Sequence, residues 1–171
     1  FYEDTGTTPK FFWDASAENL GIGTSSPTSY TNFTTLAVGD SSQGGVLELQ
    51  YAGAQAGRIV AQAANTLSIT TNNTEAMRIN SSGNVGIGVV PEAWDSSYTA
   101  VQIGGAASIM SQTTASSNGP YILNNARWNS GFKYNATGAA SSHDMINGVH
   151  YFNVAPSGTA DSAISWTTAM T

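Results

Sequence analysis

Few side chains in this sequence could do chemistry together. His143 and Asp144 are the one adjacent histidine–carboxylate pair, and serine is plentiful enough to complete a Ser-His-Asp arrangement on paper. Such a triad is recognised by geometry and roles, which abundance alone does not supply. The pair reads as part of a polar loop. His150 lies between Val149 and Tyr151 in a β-favouring run, so it reads as a strand histidine. A metal would need it to meet ligands from other copies. The carboxylates Asp14, Glu18, Asp40, Glu48, Glu75, Glu92, Asp95, Asp144 and Asp161 are scattered. A glycosidase needs two of them held about 5 to 9.5 Å apart, and no spacing here argues for that. With no cysteine there is no thiolate nucleophile, disulfide or zinc–thiolate site. No catalytic residue, cofactor or metal is assigned, and the chain reads as something other than an enzyme.

Three further features invite a functional reading. Gly21-Ile22-Gly23 and Gly86-Ile87-Gly88 resemble the start of a phosphate cradle, but the third position of the dinucleotide fingerprint is Ser26 or Pro91, and no helical pattern follows. Asn32-Phe33-Thr34, Asn72-Asn73-Thr74, Asn80-Ser81-Ser82 and Asn135-Ala136-Thr137 fit the glycosylation pattern, as chance allows in a chain this rich in Asn, Ser and Thr. The aromatics Trp94, Tyr98, Trp128, Tyr134, Tyr151 and Trp166 are the most informative, because a flat apolar ring beside amides suits a saccharide. Trp128, Tyr134 and Tyr151 stand among turn signals and are the candidate ligand contacts, because binding residues gather on loops held by a rigid scaffold.

The elements that must position these residues are strands. Charged residues make up 9% of the chain, against about a quarter in ordinary domains. Leu, Ile, Val and Phe together reach only about 18%, under the roughly 20% that marks disorder when the net charge is also high. The net charge is −6, too small to force disorder on a chain with 17 aromatic side chains among its Trp, Tyr and Phe. The inference is a chain without a thick private core, completed by association with its own copies. Five basic against eleven acidic residues give no affinity for a phosphate backbone, and no apolar run approaches the roughly 18 residues of a membrane helix. Nucleic acid and membrane insertion are therefore not expected. Short β runs are expected at Phe11–Trp13, Tyr30–Val38, Val46–Tyr51, Gly57–Val60, Leu67–Thr70, Ala76–Ile79, Tyr121–Leu123, Phe132–Tyr134, Val149–Val154 and Ala163–Trp166. Turns are expected at Asn118-Gly119-Pro120, Asn129-Ser130-Gly131 and Pro156-Ser157-Gly158. Ala76–Ile79, the loop 80–83 and Asn84–Gly88 read as a hairpin.

The longest-range signal is repetition. Asn19-Leu20-Gly21-Ile22-Gly23 returns as Asn84-Val85-Gly86-Ile87-Gly88, and the same offset of about 65 residues carries Leu36–Gly39 onto Val101–Gly104, Ser16 onto Ser81 and Phe12 onto Met77. Three stretches follow: a first repeat with its lead-in at 1–39, a second at 40–104, and a divergent β-rich region at 105–171 whose Ala169-Met170 echoes Ala76-Met77 as if opening another hairpin. The beginning at Phe1 without a Met suggests a piece of a longer chain.

The segment Glu75–Gly88, a strand followed by a Ser-Gly-Asn turn and Gly-Ile-Gly, resembles the repeat of tailed-bacteriophage tail fibres, as do Asn19–Pro27 and the stretch His150–Thr171. Val89-Val90 replaces the usual Thr-Ser-like pair. The resemblance implies an elongated homotrimeric fibre of short-stranded β repeats, of β-prism or intertwined β type, at the virion surface. It also implies a role in attachment to a bacterial surface glycan or protein receptor, with other virion proteins as neighbours. The self-cleaving chaperone domain common at the end of such fibres is absent from this sequence. A purely structural shaft or capsid decoration is the alternative, and a polysaccharide-degrading tailspike the second. In a trimer, Ile22 and Ile87 are expected to face the three-fold axis, with Gly21, Gly23, Gly86 and Gly88 letting three backbones crowd together.

Overall fold

The computed structural model describes residues 10–31, 34–39, 44–62, 65–114 and 118–171. The lead-in at 1–9, Asp40 and most of the motif Asn32-Phe33-Thr34 lie outside them. The described chain is all-β, with open sheets and no helix. It divides into two compact units, Phe1–Thr74 and Glu75–Thr171. The second copy of the motif and the divergent region thus share one unit.

In the first unit, β1 (Phe11–Asp14) pairs antiparallel with β2 (Asn19–Ile22), and β2 pairs parallel with β3 (Leu36–Val38). Of the described residues in the run 30–38, Leu36–Val38 form the strand, because Pro27 and the polar residues before Leu36 supply no alternating pattern. A meander follows: β4 (Gly45–Tyr51), β5 (Ala54–Gln62) and β6 (Thr66–Thr71), each antiparallel to the next.

The second unit opens with β7 (Thr74–Ile79) and β8 (Val85–Ile87), the expected hairpin, and β8 pairs parallel with β9 (Tyr98–Ile103). The sheet continues antiparallel through β10 (Ala107–Gln112), β11 (Asn118–Asn124), β14 (Gly138–Ile146), β15 (Val149–Gly158) and β16 (Thr167–Met170). Between β11 and β14 a small hairpin, β12 (Ala126–Trp128) with β13 (Phe132–Tyr134), leaves the sheet and covers one of its faces. It turns at Asn129-Ser130-Gly131, as expected, with Ser130 and Gly131 at positive φ.

The two copies of the motif are the same module. Leu20, Gly21 and Ile22 align with Leu36, Ala37 and Val38 as Val85, Gly86 and Ile87 align with Val101, Gln102 and Ile103. Asn19 is 0% exposed and its Oδ1 accepts from the Thr35 backbone N–H at 2.7 Å. Asn84 is 2% exposed and accepts from the Ala100 N–H at 2.9 Å. Gly39 donates to the Ile22 carbonyl as Gly104 does to that of Ile87. Each buried amide oxygen thereby satisfies a backbone donor where the parallel strand begins. The offset is not uniform, however. Phe11 stands opposite Ile22 as Met77 stands opposite Ile87, so Phe11, not Phe12, is the counterpart of Met77. Asp14 and Asn80 likewise correspond, each accepting from the N–H two residues on. The first turn therefore holds one extra residue. Glu18 sits there at φ 55, where the second copy has Gly83 at φ 81.

Several strands depart from the sequence expectation. Asn118-Gly119-Pro120 opens β11 instead of turning, and Pro156 lies inside β15. Both fall at register shifts, where the missing proline N–H breaks no ladder bond. His143-Asp144 is in the middle of β14, not in a loop. Ala163–Trp166 is not a strand; Ala163 makes an isolated bridge to Lys133, and the strand comes next, as β16. Thr167–Met170 pairs antiparallel with β15.

Replacing Asn84 with Ala should leave the Ala100 N–H buried without an acceptor. The second unit should lose about 1–3 kcal/mol in urea unfolding followed by tryptophan fluorescence. The same change at Ser81, exposed in the turn before Asn84, should fall within about 0.5 kcal/mol of the parent.

Candidate functional site

Strand alternation gives the second unit's sheet two unlike faces. One carries Tyr98, Ala100, Gln102, Met110, Tyr121 and Leu123 among others, and these pack with Trp94, Ala126 and Tyr134 into the core. Over this core lies a train of rings. Tyr98 tilts against Trp128 at 5.4 Å, Trp128 meets Phe132 edge-on at 4.9 Å, and Phe132 meets Trp166 edge-on at 5.4 Å. Trp128, Phe132 and Trp166 are only half-buried, so the train is both a cover and an accessible aromatic strip. Arg127 fastens the hairpin to its neighbours. Its guanidinium donates to the Tyr134 carbonyl and Asn135 Oδ1, and pairs with Asp161. Ser162 accepts from the Tyr134 N–H and Phe132 accepts from the Ile164 N–H, so the stretch before Trp166 is fastened along β13.

Trp128, Tyr134 and Tyr151 thus occupy different situations. Trp128 is in the strip. Tyr134 is 4% exposed and its hydroxyl donates to the Pro156 carbonyl, so its ring is part of the core and offers no face to a ligand. A Cβ on Gly158 would run into that ring, which accounts for glycine there. Tyr151 is half-buried on β15 opposite Asp144, away from the strip's ring contacts. Phe132 and Trp166 complete the strip. Trp166 was legible as one of the aromatics of interest, but Phe132 reads as an ordinary strand residue until β12 and β13 are paired.

The single chain accounts for the motif glycines by its own contacts. Gly21 and Gly86 are enclosed by their own chain: a Cβ would strike the Thr24 carbonyl in one case and the Val89 carbonyl and Pro91 ring in the other. Gly23 and Gly88 turn the chain at φ 77 and 67. Local folding therefore accounts for all four glycines without any crowding of three backbones. Ile22 and Ile87 remain 40% and 43% exposed, each on the face opposite the buried asparagine.

That open face is the second notable surface. In the second unit it carries the row Val101, Ile109, Ile122, His143, Phe152 and Met170, one from each of six strands, with no described residue packed over it. His143 Nε2 lies 2.9 Å from His150 Nδ1, and the His143 ring stacks on Phe152 at 4.3 Å. Asp144, next in the chain, points to the covered face, so the pair cannot form a His–Asp dyad. There Asp144 Oδ2 accepts from Asn153 Nδ2 at 2.7 Å, while Oδ1 has no partner. Burial raises its carboxyl above the usual 3.8, against the opposing pull of Ser142 and Asn153. Burial also pushes the Tyr121 phenol to about 12, with Tyr98 and Asp144 adding to it. Among the described residues, no three His, Asp or Glu side chains gather where they could hold a metal ion.

The raised Asp144 value gives a signed prediction. Protonated Asp144 favours the folded state, so its contribution is fully present below pH 3.8 and is lost as pH rises through the higher folded value. The stability of the parent minus that of Asp144→Asn, measured by urea unfolding, should therefore fall as pH climbs from below 3.8 toward 7. No protein-family model matches the chain, and no curated protein or solved structure is significantly similar to it.

Proposed function

We propose that this chain is a segment of a homotrimeric virion fibre, of the tailed-phage tail-fibre kind, that attaches the particle to a glycan on the bacterial surface. One observation carries the fibre reading. The same module of hairpin plus parallel strand occurs twice, and each copy leaves an apolar sheet face exposed in the single chain. A protein that worked as a monomer would be expected to cover such faces, because exposed apolar patches of this extent mark interaction sites. Association with two further copies turns the bare faces into shared core, as a β-prism does, and explains why so few large apolar residues suffice.

The glycan reading rests on the strip of Trp128, Phe132 and Trp166. These rings remain half-buried, and Asn129 stands at the turn of the same hairpin, so apolar contact and hydrogen bonding are offered together. The reaction expected on bound polysaccharide is none. A shaft or capsid decoration without a ligand is the second reading, and the enclosure of Tyr134 favours it, since one of the three candidate contacts is taken up by the core.

Host envelope polysaccharide should bind the full chain saturably, quench tryptophan fluorescence and yield no new reducing ends. Trp166→Ala should weaken binding at least tenfold with the far-ultraviolet circular dichroism unchanged. Absence of binding favours the shaft, and appearance of reducing ends would make it a tailspike.

A further inference from the structure

The open face of the second unit's sheet does more than leave room for neighbours. Its relief is uneven in a specific way. The small side chains Ala107, Asn124 and Ser141 lie beside Ile122, His143, Phe152 and Val154, and the step between them forms a groove of about 500 Å³. Its lining is almost wholly apolar. On neighbouring strands of the same face stand Ile103 and Ile109, 47% and 46% exposed, which are knobs of the size the groove accepts. One face therefore bears both the hole and the projections to fill it.

We propose that this face is the seat of a second copy of the chain, and that the His143–His150 pair lies inside the contact and makes it acid-labile. The inference rests on the homotrimeric reading above and assigns it a surface and a control. Three observations select a copy of the chain over a foreign partner. The only acidic or basic residue among the face's strand positions, apart from the histidines, is Glu75 at the end of β7, already paired with Arg78 at 2.6 Å, so like faces meet without repulsion. The eight strands present about twenty side chains on this face, close to the roughly 20–30 that a standard interface takes from each side. The same kind of face recurs in each sheet of the first unit. Phe11, Leu36 and Val38 form one, and Leu47, Ile59 and Ile69 the other, all exposed and with no charged side chain in register. A symmetric assembly covers like with like at each of these.

The control follows from the ring geometry. A hydrogen bond between His143 Nε2 and His150 Nδ1 needs one nitrogen to donate and the other to accept. With both rings doubly protonated, both nitrogens are donors, the bond is lost, and two positive charges stand on a surface about to be dried. Histidine is the side chain that ordinarily changes charge in mildly acidic solution. From the elements packed alongside, β11 offers Ile122 and β16 Met170, neither titratable, while Ser141, Met145 and Phe152 share the histidines' own strands. Asp144, the carboxylate next to His143 in the chain, is turned to the covered face. A dry contact accepts unpaired charge poorly.

Sedimentation of the full chain at pH 8 and pH 5 tests both parts. The parent should be a trimer at pH 8 and associate at least tenfold more weakly at pH 5. The double variant His143→Phe, His150→Leu should be a trimer at both. Ile122→Asp should be monomeric at pH 8 with unchanged circular dichroism, because residue 122 is exposed in the single chain. A trimer indifferent to Ile122→Asp overturns this face as the seat while leaving the fibre reading intact. A parent equally associated at both pH values overturns the histidine control. A folded monomeric parent at pH 8 overturns the trimer and this inference together, and gives the face to another occupant.

Discussion

A buried asparagine fixes the module on which the rest of the structure is built. Asn19 and Asn84 each reach across from the first strand position of the motif to the backbone at the start of a parallel strand. Parallel neighbours joined by a loop without a helix are uncommon, because the return path leaves backbone groups to satisfy. The amide does this from a site closed to water, where an unmade bond is expensive. The glycines that follow let the chain turn back at once over the strand it has just left. Asparagine and glycine are thus parts of one device: the first anchors the returning strand and the second makes the return short.

From that device follows the asymmetry of the sheets. With the returning loop, Trp94 and the β12–β13 hairpin all on one side, every large core residue of the second unit gathers there, and polar partners such as Asn153, Ser142 and Asp144 are drawn into the same layer. The other side carries the exposed Ile103, Ile109, Ile122, Phe152, Val154 and Met170, with no described residue packed over them. An open, flat, apolar sheet face is an association hazard that natural proteins either blunt with charge or use. Here Glu75, already paired with Arg78, is the one acidic or basic strand position on it apart from the histidines. The functional reading and the histidine inference both grow from that single fact, whereas the aromatic strip belongs to the covered side and supports a separate task.

The fold class, the hairpin at 76–88, the turn at 129–131 and the duplication were all legible in the sequence, because alternation, turn residues and recurrence are local or self-referential patterns. The strand over Gly138–Ile146 was not. Its inward positions are Ala140, Ser142 and Asp144, small or polar residues whose burial depends on Asn153 and Tyr121 brought from other strands. Nor could spacing pair His143 with His150, or separate His143 from Asp144, since only the cross-strand register puts the first two together and the pleat sends the last two apart.

The sequence by itself determined that this is a β protein with a repeated Gly-Ile-Gly module, little charge and too few large apolar residues for a thick private core. It did so because backbone preference and composition are properties of neighbouring residues and of totals. Tertiary structure decided which aromatic is core and which is surface, as Tyr134 and Trp128 illustrate. It also decided that the motif's glycines serve the chain's own turn, and that Ile22 and Ile87 stand on faces no part of the described chain is shown to cover. Those outcomes turn on register and layering, which arise only when distant strands are laid side by side.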